Sequence, residues 1–124
     1  MLAVSLILGV YFYFKKSRRD GVFFVSLILI ASILVKSLKE IFQRARPLNS
    51  IIVETGYSLP SGHALISLVF FGSLTYLFLR KKVNLVLMLS STILVLLIGF
   101  SRLYLRVHWL SDILAGYLIG IIIL

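Results

Sequence analysis

A chain of 124 residues that is 60% apolar and only 14% charged, with a mean hydropathy of +1.10, is not a soluble domain, which would be nearer half apolar and about a quarter charged. Its net charge of +9 would suggest nucleic acid in a soluble protein. Here the basic residues sit at the ends of apolar segments, where they anchor to headgroups or set topology, so an anionic ligand at the membrane surface is expected and nucleic acid is not. With no cysteine, disulfides and thiolate metal sites are excluded.

Five apolar segments follow in chain order. Residues 2–14 (LAVSLILGVYFYF) form the first, too short to span without tilt or thinning. It has no basic stretch before it and KKSRR after it, so it does not read as a cleaved signal peptide. Residues 21–38, 61–79, 83–101 and 108–124 form the others, each long enough to cross most of a hydrocarbon core of roughly 30 Å. Backbone groups in lipid must be satisfied within the segment, so all should be helices. The expectation is an all-α membrane helical bundle, one domain over residues 1–124, with four full transmembrane helices and a short N-terminal one.

If the helices alternate in direction, KKSRR (15–19) and RKK (80–82) share one face, and residues 39–60 and 101–112 share the other. The first face carries dense juxtamembrane clusters and is placed in the cytoplasm. The second carries Lys36, Lys39, Arg44, Arg46, Arg102 and Arg106. Gly116 and Gly120 make a GxxxG read as close helix packing. Tyr57, Tyr104 and Trp109 fall near helix ends and fit an interfacial aromatic belt.

Three polar clusters fall on that second face. KEIFQRARP brings Lys39, Arg44 and Arg46, with Pro47 expected to stop the helix. PSGH brings Pro60, Ser61, Gly62 and His63, with the proline expected in the first turn of a helix whose exposed N–H groups suit an anion. SRLYLRVHWLSD brings Arg102, His108 and Asp112. The histidine and aspartate are four apart, on one helix face. The carboxylate can fix one imidazole nitrogen and leave the other free as a nucleophile. Ionisable groups at the membrane edge are costly enough that a functional site is the default reading. Two histidines, three cations and a helix N-terminus are the parts of a phosphoryl-transfer site. Of the four acidic residues, Asp20, Glu40, Glu54 and Asp112, only Asp112 sits convincingly. No acidic cluster offers a divalent metal a home, so metal-free chemistry without a cofactor is expected.

These residues resemble the type 2 phosphatidic acid phosphatases, the lipid phosphate phosphatases that share their site with vanadium haloperoxidases. The family's three motifs stand here intact and in order: Lys39, six residues, Arg46-Pro47; Pro60-Ser61-Gly62-His63; and Ser101-Arg102, five residues, His108, three residues, Asp112. The resemblance covers about residues 21–124. It implies that His108 attacks phosphorus and becomes phosphohistidine, that Asp112 orients it, and that His63 protonates the leaving oxygen. Lys39, Arg46, Arg102, Ser61 and the Gly62 N–H would hold the phosphate. It also implies a lipid phosphomonoester or diphosphate as substrate. Phosphatidic acid, phosphatidylglycerophosphate and polyprenyl diphosphate are the candidates. The expected location is a bacterial inner membrane, with the site on the periplasmic or outer face. Bacterial membrane members usually have six helices, so this chain is expected to lack the first. Two alternatives stand beside this reading: a truncated or inactive membrane protein that binds anionic lipid without turnover, and a vanadate-dependent oxidase. The oligomeric state is left open.

Overall fold

The computed structural model describes residues 2–15, 17–80 and 83–124. Of the two basic clusters, Lys16, Lys81 and Lys82 lie outside them. The described chain is all helix and loop: α1 (Leu2–Lys15), α2 (Arg18–Phe42), α3 (Gly62–Leu79), α4 (Leu85–Tyr104) and α5 (Leu110–Ile123). α2, α3 and α4 are long and apolar enough to cross a membrane. At 1.5 Å per residue they reach about 37, 27 and 30 Å. α5 has only 14 residues, because Val107 to Trp109 are spent on the turn that carries His108.

α2 is longer at both ends than the apolar pattern predicts. Its first turn takes in Arg18 to Gly21, with Asp20 favourably placed on the positive end of the helix dipole. Arg80, just past α3, donates to both Asp20 oxygens at 2.8 and 2.6 Å, so the two charged ends lie on the same side of the bundle. At its far end α2 does not run on toward Pro47. It stops at Phe42, where Gln43 turns left-handed at φ 44°. This matters for the site. In a continued helix Arg44 and Arg46 would diverge by about 200°; outside it both reach the same turn.

The core lies between α1, α2 and α3. Phe12, Phe24, Ile28, Leu65, Val69 and Leu77 are almost fully buried there, and the Phe12, Phe24 and Phe70 rings meet edge to face. Outside this core the helices stay apolar. α4 buries only Ser91, Val95 and Gly99, yet exposes Leu85, Leu89, Ile93 and Leu97. A helix apolar all round and little buried is solvated by hydrocarbon, and this is an integral membrane protein. Hydroxyls within the spans are satisfied locally: Ser32 and Ser73 donate back to Ile28 and Val69 carbonyls, and Thr75 of α3 donates to Ser91 of α4 at 2.8 Å.

α5 packs on α3 through the GxxxG. A Cβ on Gly116 would stand 2.8 Å from the Ser61 carbonyl oxygen, and one on Gly120 would stand 2.9 Å from Leu68. Only hydrogen fits at Gly116, because the atom it faces is backbone. That contact seats the start of α3 against the start of α5, where two of the three motifs lie.

Candidate active site

The three motifs converge at one end of the bundle. Backbone bonds join them: Ser61 N–H donates to the Asp112 carbonyl at 2.9 Å, Ser58 N–H to the Arg44 carbonyl at 2.8 Å, and Ile51 N–H to the Leu105 carbonyl at 3.0 Å. Loop 43–61 is thereby closed on itself and tied to the α4–α5 turn and the start of α5.

His108 sits in that turn and is 3% exposed. Its Nε2 lies 3.4 Å from the Arg46 guanidinium, and its Nδ1 lies 3.5 Å from Asp112 Oδ2. The second separation is ion-pair range but too long for a full hydrogen bond, and Nδ1 has no other partner among the described residues. Burial, then the positive charges of Arg46 and Lys39, hold the His108 pKa below the ordinary histidine value; Asp112 opposes them without winning. Burial and the two cations both favour the neutral ring.

Asp112 is fully buried and held from two directions. Arg44 donates to Oδ1 at 2.8 Å and the Trp109 N–H donates to Oδ2 at 2.9 Å. The second bond caps the start of α5, so one carboxylate both ends the turn and faces the histidine. Arg44 also donates to Ser111 Oγ at 2.6 Å and lies 5.6 Å from the centre of the Trp109 ring. Arg44 belonged to the first basic cluster, but nothing in its spacing assigned it to Asp112.

Arg46 is fixed by the loop. It donates to the carbonyls of Gly56 at 3.0 Å, Thr55 at 3.3 Å and Val107 at 2.9 Å. Lys39, half-buried near the end of α2, donates to the Tyr57 carbonyl. Arg102, in the last turn of α4, donates to Ser101 Oγ at 3.2 Å.

Glu54 joins the two arginines. Its Oε2 is 2.9 Å from Arg46 and its Oε1 3.4 Å from Arg102. The expectation that Asp112 alone among the acidic residues is well placed is therefore corrected. Glu54 lies in the irregular loop, with no helical register to connect it to Arg102, 48 residues away.

In the second motif Ser61 is the N-cap of α3, its hydroxyl accepting from Ala64 N–H. Pro60 precedes the cap and is not in the first turn. Gly62 opens the helix, and the N–H groups of Gly62 and His63 take no partner among the described residues. His63 is exposed, and its ring makes no hydrogen bond among the described residues. Arg102, Glu54 and Lys39 are the side-chain charges that act on it. The arrangement thus gathers Lys39, Arg46, Arg102, His108 and Asp112 around one point, with the first turn of α3 beside them. A cleft of about 720 Å³ opens from His108 and Arg46 between the loop and the α4–α5 turn. Its walls include Pro47, Leu48, Leu103 and Trp109.

Known proteins share this frame. A phosphatidylglycerophosphatase B of Bacillus subtilis is 30% identical over 130 residues, covering 99% of this chain and 64% of its own length. An undecaprenyl-diphosphatase of Sulfolobus acidocaldarius is 37% identical over 114 residues, covering 86% of this chain and 53% of its own. The chain therefore spans less than two thirds of either relative. The crystal structure of a transmembrane PAP2-type phosphatidylglycerolphosphate phosphatase from Bacillus subtilis superimposes with a TM-score of 0.85 at 28% identity, over 98% of this chain and 64% of that one. Aquifex aeolicus LpxE superimposes with a TM-score of 0.75 at 23% identity, over 98% of this chain and 79% of that one, a likeness of fold. The match to the PAP2 superfamily runs over residues 20–124, and the chain belongs to that superfamily.

Proposed function

We propose that this protein is a membrane lipid phosphatase that transfers the phosphoryl group of a lipid phosphomonoester or diphosphate to His108 and then to water. The observation that carries this reading is the histidine's setting. One nitrogen faces the buried carboxylate and the other faces the Arg46 guanidinium at 3.4 Å. The names of the relatives support the same class of substrate.

In the first step the Nε2 lone pair forms a bond to phosphorus and the bond to the lipid oxygen breaks. His63 gives that oxygen its proton. Negative charge on the phosphoryl oxygens is met by Lys39, Arg46, Arg102 and the free N–H groups at the start of α3. Asp112 stabilises the positive charge that develops on the His108 ring. In the second step water attacks phosphorus, His63 takes its proton, and the N–P bond breaks to release phosphate. Glu54 pairs with both Arg46 and Arg102, so substrate must compete with it. The site is placed on the periplasmic or outer face, because the opposite end carries the Lys15, Arg18, Arg19 and Arg80 cluster expected in the cytoplasm. The 720 Å³ cleft beside His108, apolar on several walls, suits the first part of a lipid chain.

The test is phosphate release from phosphatidic acid, phosphatidylglycerophosphate and a polyprenyl diphosphate in detergent with EDTA, comparing wild type with His108→Ala. EDTA-resistant release that falls at least about 10³-fold in the variant is expected. A folded, monodisperse wild type that binds these lipids without release would overturn the reading in favour of a binding protein.

A further inference from the structure

Of the cations at this end of the bundle that the phosphoryl-transfer scheme does not use to hold phosphate, Arg106 is the one that lines the cleft beside His108. Its backbone is left-handed, at φ 53°, a region that glycine or asparagine occupies readily and a long side chain does not. The neighbouring arginines are all engaged: Arg44 by Asp112, Arg46 by loop carbonyls, Arg102 by Ser101. The Arg106 guanidinium has no hydrogen bond, ion pair or ring contact among the described residues. It lines the same cleft as Arg46 and His108, two residues before the nucleophile. An unpartnered cation, on a backbone its side chain does not favour, borders the cavity that receives the substrate.

Building on the lipid-phosphatase reading, we propose that Arg106 binds a second phosphate of the substrate, beyond the phosphoryl group that is transferred. Lys39, Arg46 and Arg102 surround the transferred group. Of that set only Arg46 lines the cleft, and Arg106 lines it too, with Leu103 and Asn49. A guanidinium in that place matches a second anionic oxygen cluster by paired N–H donors. The preferred substrate is therefore a lipid with two phosphates, either directly linked as a diphosphate or separated as in phosphatidylglycerophosphate. A lone phosphomonoester leaves Arg106 unpaired.

The experiment compares wild type, Arg106→Lys and Arg106→Gly on polyprenyl diphosphate, phosphatidylglycerophosphate and phosphatidic acid. Glycine removes the cation and relaxes the backbone, so folding is not at risk. In Arg106→Gly the ratio of kcat/KM on a two-phosphate lipid to that on phosphatidic acid should fall about tenfold, mainly through KM. Arg106→Lys should fall between. A loss confined to the diphosphate shows that the second phosphate is directly linked; a loss confined to phosphatidylglycerophosphate shows that it is separated. An equal loss on all three lipids, or none, overturns the proposal and leaves Arg106 a headgroup anchor. If wild type releases no phosphate from any lipid, the lipid-phosphatase reading fails first. Binding of inorganic pyrophosphate against orthophosphate by calorimetry then decides Arg106 separately: a preference for pyrophosphate that Arg106→Gly abolishes sustains its role, and no preference ends it.

Discussion

The two ends of the bundle handle charge differently. At the Arg80 end one guanidinium meets one carboxylate through two parallel bonds, and Asp20 is 95% covered (5% exposed) while Arg80 is partly open. The pair is closed on itself and joins α2 to α3. Around His108 four cations, Lys39, Arg44, Arg46 and Arg102, meet two carboxylates, Glu54 and Asp112. Arg46 and Lys39 rest on backbone carbonyls, and Glu54 is shared between two arginines. Carbonyl oxygens hold a cation in place without neutralising it. The Arg80–Asp20 pair is closed, whereas the cations around His108 are held in place with much of their charge left uncompensated.

Substitutions at each end should break that contrast in different ways. The largest effect is expected for Asp112→Asn, which removes the carboxylate facing His108 and the acceptor of Arg44. The rate should fall on the order of 10³-fold. Its signature lies in the pH profile. Burial and Arg46 already hold the His108 pKa below its usual value, and Asp112 is the group that raises it. Loss of that charge should move the acid limb of kcat further down in pH as the rate falls. The linked stability runs the same way. A histidine buried neutral stabilises the fold fully above its unfolded pKa of about 6.5. That stabilisation is lost as pH falls from there toward the folded value. An acid limb that moves up would show that Asp112 acts otherwise.

A smaller effect is expected for Glu54→Gln. Freeing Arg46 and Arg102 of a competing, partly exposed ion pair is worth about 1 kcal/mol. KM for the lipid and the inhibition constant of inorganic phosphate should both drop roughly fivefold, with kcat within about twofold. A rise in KM would mean that Glu54 holds the arginines in their binding positions. The smallest effect on activity is expected at the closed end. Asp20→Ala should lower the Tm in detergent, by loss of about 1–2 kcal/mol with Arg80 partly solvated. Below that Tm, turnover should stay within about twofold. A large loss of turnover would couple the two ends.

The helices and the three motifs were legible in the sequence because both are local. Apolar runs report helix existence, and the spacings Lys39–Arg46, Ser61–His63 and His108–Asp112 each lie within eight residues. The boundaries were less legible where charge entered a helix. Arg18 to Gly21 look like a connection, but Asp20 favours the helix start and is neutralised by Arg80, 60 residues on. The exit at Gln43 was hidden for the opposite reason. Pro47 marks a late boundary, while the turn is drawn early by the bonds of Ser58 to the Arg44 and Ala45 carbonyls.

By itself the sequence determined that this is an all-helical membrane protein carrying three complete polar motifs, since hydropathy and motif spacing are properties of neighbouring residues. Only the tertiary structure decided how those side chains are paired. Arg44 turns to Asp112, Glu54 bridges Arg46 and Arg102, and the Arg106 side chain pairs with none of the described residues. These pairings join residues that are far apart in the chain or lie in irregular loop, where no periodicity records who will meet. They follow from the close seating of α5 on α3 at Gly116 and from the early exit of α2, which bring the loop and the α4–α5 turn to one place.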